Sequence, residues 1–395
     1  MRYIGIDIGS EVHAVAAVGE EEEVVLKPTK VAETGAGHEQ LLKLLGEPAH
    51  TLVVMEATGH YWQNLFARLA TAGFKVAVVN PLAVRRFGES HLTRAKTDAV
   101  DALLIARLGR AHRPAPAALP DENLQELQEH MRLRDRWVQD LGDRVRQLHR
   151  LVDLGFPELT QHVKDLSSSL ATTLLSRCPT AAAFRQVKPS TLAKLKYDGR
   201  RHVPEELAKQ LVAAAKSSAG MHHGTAYRLG VVTSCEDIDV LRKRVADIDR
   251  SIRTLLEGSE LASLLQTIDG IGPTTAARLM AEFGDPAQYR TAAAFTAHFG
   301  VVPAVHHSGK STPSRAAATC LGDARLRAKL WMPTLAAVLH NSWLKHFYDG
   351  LLARGKPAKL ALVASMRKLL TAVYSVAKSR KPFVPRLPTP SAQTP

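Results

Sequence analysis

Four carboxylates near the N-terminus stand where their surroundings call for a cation. Asp7 interrupts the apolar run Ile4-Gly5-Ile6-Asp7-Ile8-Gly9, beside glycines that admit close backbone approach. An ionised carboxylate in a buried strand costs several kcal/mol unless something offsets it, and a bound cation is the simplest offset. Glu56 repeats the situation at the end of the apolar stretch Leu52–Met55, in Met55-Glu56-Ala57-Thr58-Gly59. Asp98 and Asp101 lie three residues apart in Lys96-Thr97-Asp98-Ala99-Val100-Asp101, so both project from one face of a helix. Taken singly, Asp98 is more often a first-turn partner of the helix dipole and Asp101 a solvated helix residue. Taken together, Asp7, Glu56, Asp98 and Asp101 form a set of hard oxygen donors suited to Mg²⁺, which keeps positions for phosphate oxygens and water.

The elements that must position these acids read from the same segment. Tyr3–Ile8, Val12–Val18 and Glu23–Val31 alternate or run apolar as strands, separated by Gly9-Ser10 and the acidic run Glu20–Glu23, which predicts three antiparallel strands. An amphipathic helix over His38–Leu45, a buried strand Thr51–Met55, a helix from His60 to Ala72, a strand Lys75–Val79 and a helix from Thr97 to Arg110 follow. The order of elements is that of an RNase H-like α/β domain. The Gly-Ile-Asp-Ile-Gly opening is shared with actin- and sugar-kinase-like ATPases, but the second Asp-Gly phosphate loop and the Gly-rich adenosine site of that class are missing from the sequence.

The Pro/Ala-rich stretch 111–121 cannot continue a helix and marks a boundary. Beyond it, Leu124, Leu127, Met131, Val138, Leu141, Val145 and Leu148 line one side of a helix. A second long helix carries Ile238, Leu241, Val245, Ile248, Ile252 and Leu255 at heptad spacing. The pair reads either as a coiled-coil arm or as two amphipathic helices of a bundle. Residues 156–234 read as mostly helical, with His222-His223 in a solvated turn and no chemistry. The divisions that follow are 1–115, a helical arm with an insert over 116–258, a helical and basic 259–383, and a Pro-rich tail 384–395 expected to be disordered. The fold class is therefore α/β followed by all-α.

The segment Ile268-Asp269-Gly270-Ile271-Gly272-Pro273 has the form of a helix-hairpin-helix turn, whose backbone N–H groups could hold a DNA phosphate; a plain Gly-Pro helix start is the alternative. Further on, His306-His307-Ser308-Gly309-Lys310-Ser311-Thr312 is a polar loop ahead of the basic stretch Arg315–Lys329. A hydroxyl there could attack a phosphate that Lys310 and Arg315 neutralise, with Ser308 and Ser311 equivalent on spacing alone. Charge supports a polyanionic partner: 52 Lys+Arg against 38 Asp+Glu give +14. Residues 1–60 hold 4 basic and 10 acidic groups, whereas 301–395 hold 15 and 2. With 5% aromatic residues, backbone phosphates rather than stacked bases are the expected contact. Cys178, Cys235 and Cys320 are too few and too scattered for a disulfide framework or a Cys-based zinc site. No run of about 18 apolar residues and no secretory leader is recognised, so no membrane role and a cytoplasmic, nucleoid-associated location are expected.

Ile4-Gly5-Ile6-Asp7, Met55-Glu56-Ala57-Thr58-Gly59-His60-Tyr61, Asn80-Pro81 and Lys96-Thr97-Asp98-Ala99-Val100-Asp101-Ala102 together resemble the DEDD insertion-sequence transposases of the family numbered one hundred and ten. Gly270-Ile271-Gly272, Phe299-Gly300-x-x-Pro303, Ser308-Gly309, Leu326-Arg327-x-x-Leu330-Trp331-Met332-Pro333 and Met366-Arg367-Lys368-Leu369 extend the resemblance to the C-terminal half. It implies a RuvC-like, Mg²⁺-dependent domain with Asp7, Glu56, Asp98 and Asp101 as catalytic ligands, and a C-terminal transposase domain with Ser308 as nucleophile. It further implies donor and target double-stranded DNA, a noncoding bridge RNA that pairs with both, and a homodimer assembling to a tetramer, with Lys96, Gly270, Gly272, Lys310, Arg315 and Arg327 toward nucleic acid. The enlarged helical segment 156–234 and His306-His307 depart from the compact members of that family.

Overall fold

Apolar runs that tolerate burial on both faces form the centre of the N-terminal unit. The computed structural model describes residues 1–90, 97–302 and 324–385, in two units, Met1–Asp121 and Glu122–Pro395. In the first, β1 (Arg2–Asp7), β2 (Val12–Val18) and β3 (Val24–Ala32) lead to α1 (Gly35–Leu45), β4 (Thr51–Glu56), α2 (Trp62–Thr71), β5 (Lys75–Val79), α3 (Pro81–Ser90) and α4 (Asp98–His112). The sheet order is β3-β2-β1-β4-β5, with β1, β2 and β3 antiparallel and β4 and β5 parallel to β1. This is the mixed five-stranded sheet expected of an RNase H-like domain.

Side-chain alternation divides the core between the two faces. Ile4, Ile6, Val15, Ala17, Val53 and Met55 pack on α1 and α2 through Leu41, Leu45, Leu65 and Leu69. Tyr3, Val18, Leu52 and Val54 pack on α3 and α4 through Val84, Leu104, Ile105 and Leu108. The helix α3 is not foreseen in the sequence, although Asn80 accepts a hydrogen bond from the Leu82 N–H at 2.8 Å and Pro81 supplies the preset first turn. The acidic run in the β2–β3 turn binds the end of α4: Arg113 reaches Glu20 at 3.0 Å and Arg110 pairs with Glu22.

The second unit opens with α5 (Glu122–Gly155), α6 (Leu159–His162), α7 (Ser169–Arg177), α8 (Ala181–Arg185) and α9 (Pro189–Ala193). A two-stranded hairpin follows, β6 (Lys196–Tyr197) and β7 (Arg201–His202), then α10 (Glu205–Lys216) and α11 (Thr225–Leu256). It ends with α12 (Glu260–Leu265), α13 (Pro273–Phe283), α14 (Ala292–His298), α15 (Ala324–His340), α16 (Ser342–Ala353) and α17 (Ala358–Ser379). The long helices α5 and α11 pack side by side and antiparallel, since Arg134 meets Asp249 at 2.5 Å while Arg144 meets Asp237 at 3.0 Å. Two positions on these helices depart from the sequence reading. Trp137 packs inward where Val138 is exposed, and Leu256 rather than Leu255 is buried, because a straight helix of 3.6 residues per turn drifts away from a heptad.

Residues 156–234 build a core of their own from Phe156, Leu159, Leu174, Phe184, Leu192 and Leu211 against Leu148, Val152, Val231 and Ile238 of the long helices. The hairpin within it is a departure from the mostly helical reading. Asp198 (φ 51°) and Gly199 (φ 73°) both take up the left-handed region in the loop of Asp198, Gly199 and Arg200 that joins its two strands. A separate core of α12 to α17 gathers around Phe283, Phe295, Phe299 and Met366. Among the described helices, α17 is long and apolar enough to cross a membrane by composition, contrary to the sequence reading. Its buried residues, among them Leu362, Met366, Leu369, Val373 and Val376, instead fill that core.

Candidate active site

The register of the sheet brings the first two acids together. β1 and β4 run parallel with Ile6 opposite Met55, so the next residues, Asp7 and Glu56, end adjacent strands side by side. Both follow residues whose side chains enter the α1/α2 core, and alternation therefore turns the two carboxylates to the opposite face, the one α4 covers. Glu56 accepts a hydrogen bond at 3.0 Å from the Thr58 hydroxyl, and the Ala57 N–H still donates to Val79 O at 3.0 Å, so the strand end is anchored beyond the acid.

The approach of α4 completes the arrangement. A Cβ on Gly5 would lie 2.0 Å from Ala102 O and 2.3 Å from Ala106 N, so the helix backbone rests directly on β1. Gly109 lies against Val54 and Tyr3 in the same way. The helix thus runs counter to β1, and its first turn reaches the end of the strand that carries Asp7. Thr97 caps that turn by accepting from the Val100 N–H at 3.3 Å. Asp98 stands one turn before Ala102 and Asp101 one turn before Ile105, and both of those residues are buried against the sheet. The four sequence-predicted acids therefore gather at one end of the central strands, on the face that α4 covers. Their oxygen donor set fits a divalent cation of the Mg²⁺ class.

Among the described residues, however, the trio of His, Cys, Asp or Glu ligand atoms that closes to within 4.8 Å is a different one, His13, Glu33 and His38.

In the second unit, the two glycines of the Ile268–Pro273 turn play different parts. Gly270 has φ +96° and would place a Cβ 2.5 Å from Ala337 Cα, so its lack of a side chain serves packing against α15. Gly272 has open space around it and caps α13, leaving the first N–H groups of that helix toward solvent. Arg327 donates to Gly300 O at 3.2 Å, tying α15 to the chain ahead of residue 303. Arg278 grips Asp135 through two hydrogen bonds of 2.7 and 2.9 Å, and Lys329 joins them. Burial pushes the Asp135 carboxyl up, but the bonds from Arg278 and Lys329 outweigh it and hold the group below the usual range. Lys96, His306, His307, Ser308, Gly309, Lys310, Ser311, Arg315 and Cys320 lie outside the described residues, as does most of the Pro-rich tail. Cys178 and Cys235 are both buried and free.

A mixed sheet of this order, with acids at neighbouring strand ends and at the start of the covering helix, defines the first unit as an RNase H-like domain. Comparison with known proteins is more specific. A family model described as Transposase, of the DEDD type, matches residues 4–157, and one described as Transposase IS116/IS110/IS902 family matches residues 262–349. The chain belongs to that family of insertion-sequence transposases and is a DNA transposase or recombinase. It is similar to the "Insertion element IS116 uncharacterized 44.8 kDa protein" of Streptomyces clavuligerus, at 27% identity over 98% of this chain and 97% of that one. The "Pilin gene-inverting protein" of Moraxella bovis is 25% identical over 85% of this chain and 82% of its own. The "Mini-circle putative transposase for IS117" of Streptomyces coelicolor is 29% identical over 78% of each. Among solved structures, Thermus thermophilus RuvC aligns over 30% of this chain and all of its own, at 20% identity and a TM-score of 0.23.

Proposed function

We propose that the chain cuts and rejoins the DNA strands of its mobile element through a covalent link to Ser308. The observation that carries this reading is the arrival of Asp7, Glu56 and the first turn of α4 on one face and at one end of the central strands, in a chain whose two halves both match the transposase family. Asp7, Glu56, Asp98 and Asp101 would hold Mg²⁺, which when bound offsets charge on the reacting phosphate and favours an ionised attacking hydroxyl. Ser308 Oγ forms a new bond to phosphorus while a bridging P–O bond to the sugar breaks. The serine proton leaves to a base, and the departing sugar oxygen gains one. The number of phosphoester bonds is unchanged, so a sugar hydroxyl can later reverse the step without ATP. Lys310, Arg315 and the α13 N–H groups beyond Gly272 contact DNA phosphates, and Lys96 lies beside the acids in sequence.

Double-stranded donor and target DNA are the substrates, and a noncoding bridge RNA reads their sequence by base pairing while the protein grips backbone. The working form is a homodimer that assembles to a tetramer, in which Ser308 of one copy serves the acids of another. Its place of work is the cytoplasm, at the nucleoid. Sequencing the RNA that co-purifies with the protein tests the guide: a single defined species encoded beside the gene supports it, and its absence removes that part of the reading.

The RNase H-like topology also accommodates plain hydrolysis, in which water attacks and the second unit only binds. Denaturing gels of Mg²⁺-treated reactions separate the two. A protein–DNA adduct that disappears in Ser308→Ala supports the covalent route. Cleavage that persists in Ser308→Ala but is lost in Asp7→Asn supports hydrolysis.

A further inference from the structure

A second donor set lies on the reverse face of the same sheet. His13 on β2, Glu33 just after β3 and His38 on α1 converge. His13 Nε2 is 2.6 Å and His38 Nε2 2.8 Å from the same oxygen, Glu33 Oε2, and all three donor atoms lie within 4.8 Å of one another. Asn64 on α2 donates to the other oxygen of Glu33 at 3.4 Å, holding the carboxylate in orientation. Three separate segments thus aim one atom each at a single point, and a fourth steadies the aim.

Burial sharpens the question of why these residues are there. His13 is fully buried in a strand whose inward neighbours are Val15 and Ala17, an environment that disfavours imidazole. Its Nδ1 is also buried and has no hydrogen-bond partner. The one hydrogen bond that the His13 ring makes is through Nε2, toward the shared point. Two imidazoles and one carboxylate are the donors that borderline divalent ions such as Zn²⁺ prefer, whereas Mg²⁺ takes oxygen ligands almost alone. The hydrogen bond from Asn64 to the carboxylate is the outer-shell support that such sites carry.

We infer that His13, Glu33 and His38 form a binding site for a divalent transition ion of the zinc class, with solvent completing the coordination. The ion ties β2, the β3–α1 junction and α1 into one corner. Its place relative to the active site follows from the register: Ala14, the residue after His13, is the strand partner of Asp7. Successive residues of β2 therefore face the zinc-class site and flank the strand that presents Asp7.

The test uses full-length protein carrying Asp7→Asn, Glu56→Gln, Asp98→Asn and Asp101→Asn, so that the carboxylate set contributes nothing, stripped with a chelator and titrated with Co²⁺ alone. A tetrahedral Co²⁺ absorption in the visible range is expected, together with a rise in melting temperature on adding Zn²⁺. Adding His38→Ala or Glu33→Gln should abolish both, or weaken binding by more than the roughly 10–100-fold that loss of an outer-shell partner costs. Glu33→Gln keeps the size of the side chain and one acceptor oxygen, so it decides the matter if His38→Ala fails to fold. Absence of Co²⁺ binding in the parent, or binding that survives both substitutions, overturns the inference. Neither result bears on strand transfer by the acids of the other face, which are substituted in these proteins.

Discussion

Gly5→Ala tests whether α4 is what places the acids. The added Cβ would lie 2.0 Å from Ala102 O and 2.3 Å from Ala106 N, both backbone atoms that no rotamer change can move aside. Restoring even a 3.4 Å contact with Ala102 O requires the helix to retreat by about 1.4 Å. Overpacking of this kind costs about 1–3 kcal/mol, a loss that lowers the melting temperature of a unit this size by roughly 3–15 °C. The larger effect is on activity. Asp101 adjoins Ala102 and moves with it away from Asp7 and Glu56, and a displacement near 1 Å at a reacting centre costs about a hundredfold in rate. Gly35→Ala, at a position with nothing within 4 Å of the new Cβ, is the control and should melt and cleave like the parent. Circular dichroism melts and Mg²⁺-dependent cleavage of element-end DNA, measured well below the variant's transition, supply the two readings. Gly5→Ala with lowered stability but parental cleavage would refute the positioning role of α4, and parental values of both would refute the close contact itself.

Gly272→Asp should leave stability unchanged or raise it by about 0.5 kcal/mol, as a better helix cap than glycine, while weakening DNA binding in a filter or anisotropy assay through charge repulsion. Gly270→Ala should do the reverse in kind, costing about 2–4 kcal/mol from strain at φ +96° and overlap with Ala337. Asp135→Asn leaves the largely buried Arg278 without its carboxylate and should cost about 2–3 kcal/mol in denaturant unfolding at neutral pH, below the cost for a fully buried pair. Because the folded Asp135 carboxyl titrates below its unfolded value of about 3.9, its contribution is present above that pH and fades as pH falls through the depressed folded value. The gap between parent and variant should therefore close in acid, and a gap independent of pH would count against the ion pair. DNA affinity should fall with salt by about 0.9 log unit per log unit of salt for each phosphate neutralised, and a flat response would remove the basic C-terminal region as the binding surface.

The sequence carries most of the first unit because its strands are buried on both faces and read as unbroken apolar runs. What it does not carry is pairing. Asp7 and Glu56 are separated by two strands and a helix, and only the parallel register of β1 with β4 shows that they end abreast on one face. The hairpin at Asp198-Gly199 has a recognisable turn, but its flanks, Lys196-Tyr197 and Arg201-His202, are too short and too polar to read as strands. For α17 the reason is different: Arg367 and Lys368 interrupt the apolar run, and their half-exposed positions leave the opposite face free to fill the core. Gly270 and Gly272 look alike in sequence, and only the position of α15 separates a packing glycine from an open helix start. His13 left a signal that periodicity alone can find, a polar residue at an inward position of a strand. Its partners, however, lie 20 and 25 residues away, beyond β3.

The period of two in a β-strand lets one corner of a sheet host two chemistries without mixing them. On the α4 side the donors are carboxylate oxygens alone; on the α1 side two imidazoles flank one carboxylate. Hard and borderline ions partition between such sets by ligand type more than by overall affinity. A chelator strips both faces at once, so loss of activity after chelation does not identify the ion responsible. Restoration does. Mg²⁺ alone should return strand cleavage to protein whose melting temperature stays low, while Zn²⁺ alone should return the melting temperature without cleavage. If Mg²⁺ restored both, a single site would account for everything and the reverse face would be an ordinary hydrogen-bonded corner.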